Sequence, residues 1–115
     1  MPGANISDRA RIRELNDRFR KTLDPALGRF MVTAGVNALP GNVRALAVQK
    51  VVAFDEFDAD NDPHGEHDFG SFDLMGQKFF WKIDYYDSTL EAGSPDPTDT
   101  TKTVRVLTLM LAIEY

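Results

Sequence analysis

The residues whose types and spacing could do chemistry lie together in FDEFDADNDPHGEHDFG, residues 54–70. These seventeen positions hold seven Asp or Glu residues and both histidines of the chain. Carboxylates and imidazoles bind divalent metal ions and act as general acids and bases. The stretch is therefore a candidate for a metal site, for an acid–base site, or for a solvated acidic loop.

The spacing of the carboxylates does not fit a calcium loop of the EF-hand type. Such a loop needs oxygen ligands at positions 1, 3 and 5, glycine at position 6 and a bidentate glutamate at position 12. Counted from Asp58, position 6 is Pro63 and position 12 is Phe69. Counted from Asp60, position 12 is Ser71. Both registers lack the bidentate ligand.

The histidines do not fit a metalloprotease helix, which places two histidines four residues apart. His64 and His67 are three apart, and Gly65 between them favours a turn. A looser divalent-metal site remains open, with the candidate ligands Asp60, Asp62, His64, His67 and Asp68. The composition favours a third interpretation, a solvated connector stiffened by Pro63 and by Asp side chains that bond the nearby backbone.

A second polar group alternates along a predicted strand. Lys82, Asp84 and Tyr86 stand at every second position, so their side chains project from one face. Together they could bind a small polar ligand or form an acid–base site, and they could equally form an ordinary solvated sheet face.

Charge is distributed unevenly along the chain. Residues 1–50 contain nine Lys or Arg and four Asp or Glu, whereas residues 51–115 contain four and fourteen. The acidic half predicts a surface that attracts a basic patch on a partner protein. The residues assigned to that surface are Asp55, Glu56, Asp58, Glu66, Asp84 and Asp87.

We do not expect direct binding to nucleic acid. The basic N-terminal helix is the only candidate for it, and no glycine-rich phosphate loop or interleaved aromatic residues accompany its arginines.

Two helices are predicted to position these groups. In residues 7–23, Ile12, Leu15, Phe19 and Leu23 recur at helical spacing and form one apolar stripe. A second helix is expected from about Val43 to Phe54, apolar on nearly all sides and therefore deeply packed.

Strands are predicted on both sides of the second helix. The segment RFMVTAGV, residues 29–36, predicts a short strand, and residues 71–86 predict a hairpin with Gly76 at its turn. Phe79, Trp81, Ile83 and Tyr85 form the expected core face of that hairpin. Residues 103–115 have both helical and alternating spacing, and their β-branched residues favour a strand.

The expected fold class is α+β, with the order α-β-α-β-β-β. The sheet should be mainly antiparallel, with the helices packed on one of its faces. We expect one domain over residues 1–115, with residues 1–6 disordered and residues 88–102 forming a polar loop.

Composition excludes several classes. The chain has no cysteine, which removes disulfides, thiolate catalysis and cysteine-based zinc sites. No apolar run approaches the roughly 20 residues of a membrane span, and the N-terminus lacks the apolar core of a signal peptide. We expect a cytoplasmic protein that does not bind membranes.

Four stretches of the chain resemble a known bacterial family. RIRELNDRFRKT, DNDPHGEHDFG, FFWKIDYYD and GSPDPTDTTKTVRVLTLMLAIEY are similar to the family catalogued as domain of unknown function 3768, from about Ala10 to Tyr115. The family occurs largely in alphaproteobacteria, often near plasmid or phage genes. The resemblance implies no activity and no catalytic residues. A setting near plasmid or phage genes favours the hypothesis of a host-directed inhibitor or regulator.

Two functions follow from the sequence. The first is a small acidic protein-binding module, such as a mobile-element or phage inhibitor of a host nucleic-acid-acting or defence complex. The alternative is a metal-dependent hydrolase or nuclease-like enzyme that uses the loop of residues 58–68. The sequence favours binding over catalysis, and no cofactor is expected unless the loop holds a divalent metal.

Overall fold

Two long helices and four strands form most of the computed structural model, which describes residues 6–115. Part of the segment expected to be disordered, residues 1–5, lies outside the described residues. In chain order the elements are α1 (Ile6–Thr22), β1 (Arg29–Val32), α2 (Ala34–Asn37), α3 (Gly41–Val52), β2 (Phe69–Leu74), β3 (Gln77–Tyr86), β4 (Val104–Leu111) and a 3-10 helix (Ala112–Glu114).

The four strands form one sheet in the order β1-β4-β3-β2. β2 pairs with β3 and β3 with β4 in antiparallel register, whereas β1 pairs with β4 in parallel. The predicted α+β class with a mainly antiparallel sheet is confirmed. The sheet order leaves β1 and β2 as its two edges.

The helices cover one face of the sheet. From α1, Phe19 is fully buried, and from β3 the alternating residues Phe79, Trp81 and Ile83 point into the same core. This alternation is the one that the sequence predicts, and removing such side chains from water is the main stabilising term of the fold. Other members of the core are Val36, Ala47, Val51, Phe54, Leu107 and Leu109.

The β2–β3 hairpin turns through two residues. Leu74 pairs with Gln77, and Met75 and Gly76 have φ angles of 54° and 78°. Positive φ at both central positions defines the tight turn that matches the twist of the flanking strands. Gly76 therefore lies in the turn where the sequence places it.

Element boundaries differ from the prediction in two places. The segment RFMVTAGV stays extended only to Val32, and the short helix α2 follows it. At the start of α2 the Glu114 carboxylate accepts hydrogen bonds from the Thr33 hydroxyl at 2.6 Å and from the Gly35 amide at 2.9 Å. α3 runs from Gly41 to Val52, so it begins and ends two residues earlier than expected. In residues 103–115 the predicted strand forms, and it ends in a 3-10 turn.

Residues 88–102 contain turns and no helix or multi-residue strand. Three Asp-x-Thr motifs form local turns in this segment, the first of them beginning just before it at Asp87. In each, the Asp Oδ1 accepts hydrogen bonds from the amide and the hydroxyl of the Thr two positions on, in the pairs Asp87–Thr89, Asp96–Thr98 and Asp99–Thr101. These hydroxyl bonds lower the pKa of Asp87 and of Asp99.

Among the described residues, no helix combines the length and the apolar composition that crossing a bilayer requires.

Candidate functional site

The acidic stretch runs from the end of α3 to the start of β2 and folds back on itself. The carboxylate of Asp58 accepts hydrogen bonds from the amides of Asp60 at 2.9 Å and Asn61 at 3.0 Å. The amide of Asp62 bonds the Asp58 carbonyl, and the amide of Gly65 bonds the Asp62 carbonyl. The predicted Asp-based turn is present here, although Asp62 itself is buried.

His67 fastens this loop to α1. Its Nδ1 lies 2.9 Å from Oδ1 of Asp17, and its Nε2 lies 3.5 Å from Oδ2 of Asp62. The ring stacks on Phe57 with centroids 3.7 Å apart. Both ring nitrogens therefore face carboxylates of the protein, and the Nδ1 contact with Asp17 holds the loop against α1.

The predicted metal ligands are not gathered around one point. Of the five, Asp62 and His67 are in contact, whereas Asp60 and His64 are exposed. Within residues 6–115, no group of three His, Asp or Glu side chains is arranged to hold a metal ion. His67 is also in contact with Asp17 of α1, which the sequence did not single out.

Asp68 is the fifth of these candidates, and it continues the β2–β3 ladder with its backbone. Its carbonyl accepts a hydrogen bond of 2.8 Å from the Ile83 amide. Burial raises the pKa of the Asp68 carboxyl, and the negative charge of Glu66 raises it further. Asp68 is therefore a carboxylate whose ionisation the fold disfavours.

Asp17 also holds a buried cation. Arg20 is only 1% exposed, and its Nη2 donates to Asp17 at 3.0 Å. Its Nη1 donates to the carbonyls of Val51 and Val52 at the end of α3, each at 3.2 Å. A cation at the carbonyl end of a helix opposes the negative end of the helix dipole. Asp17 thus connects α1, α3 and the acidic loop.

A second buried polar network joins α1 to the sheet. Asn16 Nδ2 donates to the hydroxyl of Tyr85 at 2.8 Å and to the carbonyl of Glu66 at 3.0 Å. The Tyr85 hydroxyl donates to the Glu66 carboxylate at 2.8 Å, and Arg105 Nε donates to Asn16 Oδ1 at 2.7 Å. Burial raises the pKa of Tyr85, so the phenol remains a hydrogen-bond donor. Sequence patterns gave no signal for this network.

The polar strand face forms as predicted, with Lys82, Asp84 and Tyr86 on the side of the sheet away from the helices. Lys82 Nζ lies 3.1 Å from the Asp84 carboxylate. The bond to Asp84 raises the pKa of Lys82. The two charges neutralise each other on a half-exposed surface.

The acidic side chains differ in how far they are engaged within the protein. Glu66, Asp84 and Asp87 bond Tyr85, Lys82 and Thr89 respectively. Asp55 and Glu56 are exposed, and their carboxylates accept no hydrogen bond from the described residues. These last two charges are open to a partner.

An open groove lies between α3 and β2, with a volume of about 370 Å³. We call it the β2–α3 groove. Its lining combines apolar side chains with polar and charged ones at the rim, namely Leu46, Gln49, Lys50, Ala53, Phe54, Asp55, Glu56 and Phe72. Leu46 is 44% exposed, so part of the apolar lining is open to solvent.

The strand that borders the groove has an unpaired edge. Among the described residues β2 pairs only with β3, and Leu74–Gln77 at the tight turn is a hydrogen-bonded pair. Such pairs alternate with non-hydrogen-bonded ones along an antiparallel ladder. The N–H and C=O groups of Phe69, Ser71 and Asp73 therefore point away from β3. An edge of this kind can accept another strand.

Comparison with known proteins places the chain in a family. A family model described as "Protein of unknown function (DUF3768)" matches residues 32–114. The chain belongs to this family. The match begins at the end of β1, so α1, with Asn16, Asp17 and Arg20, precedes the part that the DUF3768 model covers. Neither the comparison with curated protein sequences nor the comparison with solved structures yields a match.

Proposed function

We propose that this DUF3768 protein is a small acidic protein-binding module, and that an extended basic segment of a partner protein binds along β2 in the β2–α3 groove. One observation carries the proposal. A groove of about 370 Å³ with a partly apolar lining adjoins an edge strand, and two carboxylates that are not engaged within the described residues stand at its rim.

The backbone of β2 supplies the first part of the interaction. A partner segment that pairs with Phe69, Ser71 and Asp73 would satisfy up to three N–H and three C=O groups that face away from β3. Addition of a strand to a sheet edge gives affinity through main-chain hydrogen bonds, whatever the partner's sequence.

The groove supplies selectivity for apolar side chains. Phe72 points to the helix side of the sheet, where its ring stacks on Phe79 with centroids 5.1 Å apart. Together with Leu46, Ala53 and Phe54 it forms an apolar lining. Side chains of an added strand alternate between the two faces, so every second residue of the segment would enter the groove.

Charge selects a basic partner. Asp55 and Glu56 lie at the rim beside Lys50, and the exposed Asp58 and Asp60 follow along the loop. The whole chain has a formal net charge of −5. Long-range attraction over about one Debye length would speed association with a basic segment and make it sensitive to salt.

The proposal also extends to the kind of complex that the partner protein belongs to. A basic protein surface occurs on complexes that act on nucleic acids, so we propose a host nucleic-acid-acting or defence complex as the partner and a mobile-element inhibitor as the role. A cytoplasmic location fits a chain without cysteine. The alternative, a metal-dependent hydrolase using residues 58–68, gains no support from the contacts of Asp62 and His67.

The test is selection from a phage-displayed library of ten-residue peptides, followed by measurement of the affinity of an enriched peptide. We expect enriched peptides to alternate apolar residues with Lys or Arg. Leu46→Glu and Ser71→Pro should each weaken binding at least tenfold, because one places a charge in the groove and the other removes an edge N–H.

The matched control is Met31→Glu, which changes an apolar residue, 53% exposed, on the opposite edge strand and should leave affinity unchanged. No enrichment, or equal binding to all three variants, would overturn the proposal. A dimer in sedimentation analysis that Ser71→Pro dissociates would also overturn it, since the occupant of the edge would then be a second copy.

A further inference from the structure

Arg105 of β4 is a buried cation whose bonds go to uncharged acceptors. Its side chain is 3% exposed. Nε donates to Asn16 Oδ1 at 2.7 Å, and Nη2 donates to the Pro97 carbonyl at 2.6 Å. None of the ion pairs among the described residues includes Arg105. A buried charge is costly unless an opposite charge or several hydrogen bonds compensate it.

A small cavity adjoins this guanidinium. Its volume is about 60 Å³, and its lining residues are Leu15, Arg18, Ala26, Leu27, Thr100, Thr103 and Arg105. The volume is several times the roughly 10–15 Å³ that one water needs. The cavity therefore has room for an ion of a few heavy atoms.

Positive charge predominates around the cavity. Arg18 and Arg105 both line it, and the charges of nearby Arg11 and Glu66 both act on Arg105. Glu14 bonds Arg11 at 3.2 Å and Arg18 at 3.3 Å, so one carboxylate is shared by two arginines. Three cations, Arg11, Arg18 and Arg105, therefore lie near two carboxylates, Glu14 and Glu66.

The acidic residues of the loop 88–102, which contributes Thr100 to the cavity lining, are bonded to other groups. Asp96 accepts bonds from the amide and hydroxyl of Thr98, and Asp99 accepts them from Thr101. Asp99 also lies 4.0 Å from Lys102. Among the described residues, Arg105 Nη1 makes no hydrogen bond, so this nitrogen remains for a ligand in the cavity.

We propose that this cavity binds one small tetrahedral oxyanion, held by the guanidinium groups of Arg105 and Arg18. Guanidinium groups match the oxygens of such an anion with parallel N–H bonds. Thr100, whose side chain carries a hydroxyl donor, also lines the cavity. The site is separate from the β2–α3 groove, and the proposal does not depend on the function assigned to that groove.

Calorimetric titration of the full chain with inorganic phosphate, at ionic strength held constant with sodium chloride, tests the site. We expect saturable binding with a stoichiometry of one. Arg18→Gln should weaken it at least tenfold, because it removes one of two guanidinium groups. Arg18 is about half exposed, so this variant should fold like the parent. Lys21→Gln, with the same charge change on the same helix but outside the cavity, should bind like the parent.

Glycerol 2-phosphate forms a second arm of the titration. Weaker binding of the ester would assign the site to the free anion, and equal or tighter binding would assign it to a phosphoryl group of a larger molecule. Both results support a phosphate-binding cavity. Absence of saturable heat, or the same loss of affinity in Lys21→Gln and Arg18→Gln, would overturn the proposal.

Discussion

At the scale of single residues, the side chains that resembled an active site act mainly on one another. His67 lies between Asp17 and Asp62, and Glu66 bonds Tyr85. Each of these contacts joins the acidic loop to α1 or to the sheet. The histidine and carboxylates of this loop therefore stabilise its path, while the charges available to a partner are those near the groove.

Asp17 is the residue on which most of these contacts depend. Its replacement by alanine removes a hydrogen-bond partner of both Arg20 and His67. The buried guanidinium of Arg20 then lacks a neighbouring negative charge. We expect Asp17→Ala to lower the free energy of unfolding by about 2–3 kcal/mol, measured by urea denaturation. Glu14→Ala on the same helix should cost less than about 1 kcal/mol, because its ion pairs are exposed. Equal costs would contradict this account of Asp17.

Asp68 should destabilise the fold at neutral pH. Its pKa is raised in the folded protein, so folding favours the protonated form and stability falls as pH rises through that pKa. Asp68→Asn should therefore raise the melting temperature at pH 7 by a few degrees, which corresponds to roughly 0.5–1 kcal/mol. The gain should shrink as pH falls through the raised pKa toward the ordinary value of 3.8. A gain that grows on acidification would have the wrong sign.

Divalent metals should leave the protein unchanged. Asp62 and His67 already bond each other, and Asp60 and His64 project into solvent. We expect no change in melting temperature with calcium, magnesium, manganese or zinc, because binding to the folded state alone would raise it. A saturable rise that His64→Ala abolishes would restore the metal-site hypothesis.

At the scale of elements, the close packing of β2 against Trp81 and Phe54 defines the floor beneath the groove. A Cβ atom at Gly70 would lie 2.7 Å from Cε2 of Trp81 and 2.8 Å from Cζ of Phe54, and it would also meet Trp81 Nε1. Only glycine permits this approach of the strand to the ring. The position of β2 relative to α3, and hence the width of the groove, depends on it.

Gly70→Ala should destabilise the protein by about 1–3 kcal/mol through overpacking and should weaken peptide binding as β2 is displaced. Thermal denaturation and the peptide affinity measure the two effects. The matched control is Gly41→Ala at the start of α3, where the nearest atom to a new Cβ is 3.6 Å away in the Arg44 side chain. That substitution should be neutral or stabilising.

At the scale of the whole molecule, local patterns account for the elements and not for their assembly. The stripe of Ile12, Leu15 and Phe19 and the alternation of Phe79, Trp81 and Ile83 repeat within one element, so the sequence alone predicts which faces are buried. The parallel pairing of β1 with β4 brings together segments about 75 residues apart and has no local signal.

The same limit applies to the candidate site. Asp17 meets His67 across 50 positions, and Asn16 meets Arg105 across 89. The acidic stretch can be recognised in the sequence because its acidic residues and histidines fall within one short window. Its partners from α1 and the groove cannot, because they arise only when distant segments pack.

Amide hydrogen exchange of the full chain, measured by NMR with and without an enriched peptide, tests the central claim most directly. Strand addition predicts that the amides of Phe69, Ser71 and Asp73, which face away from β3, become protected when the peptide binds. The amides of Gly70, Phe72 and Leu74, which face β3, should change little. Protection confined to residues 58–68 or to the open sheet face around Lys82, with Ser71 unchanged, would contradict the account.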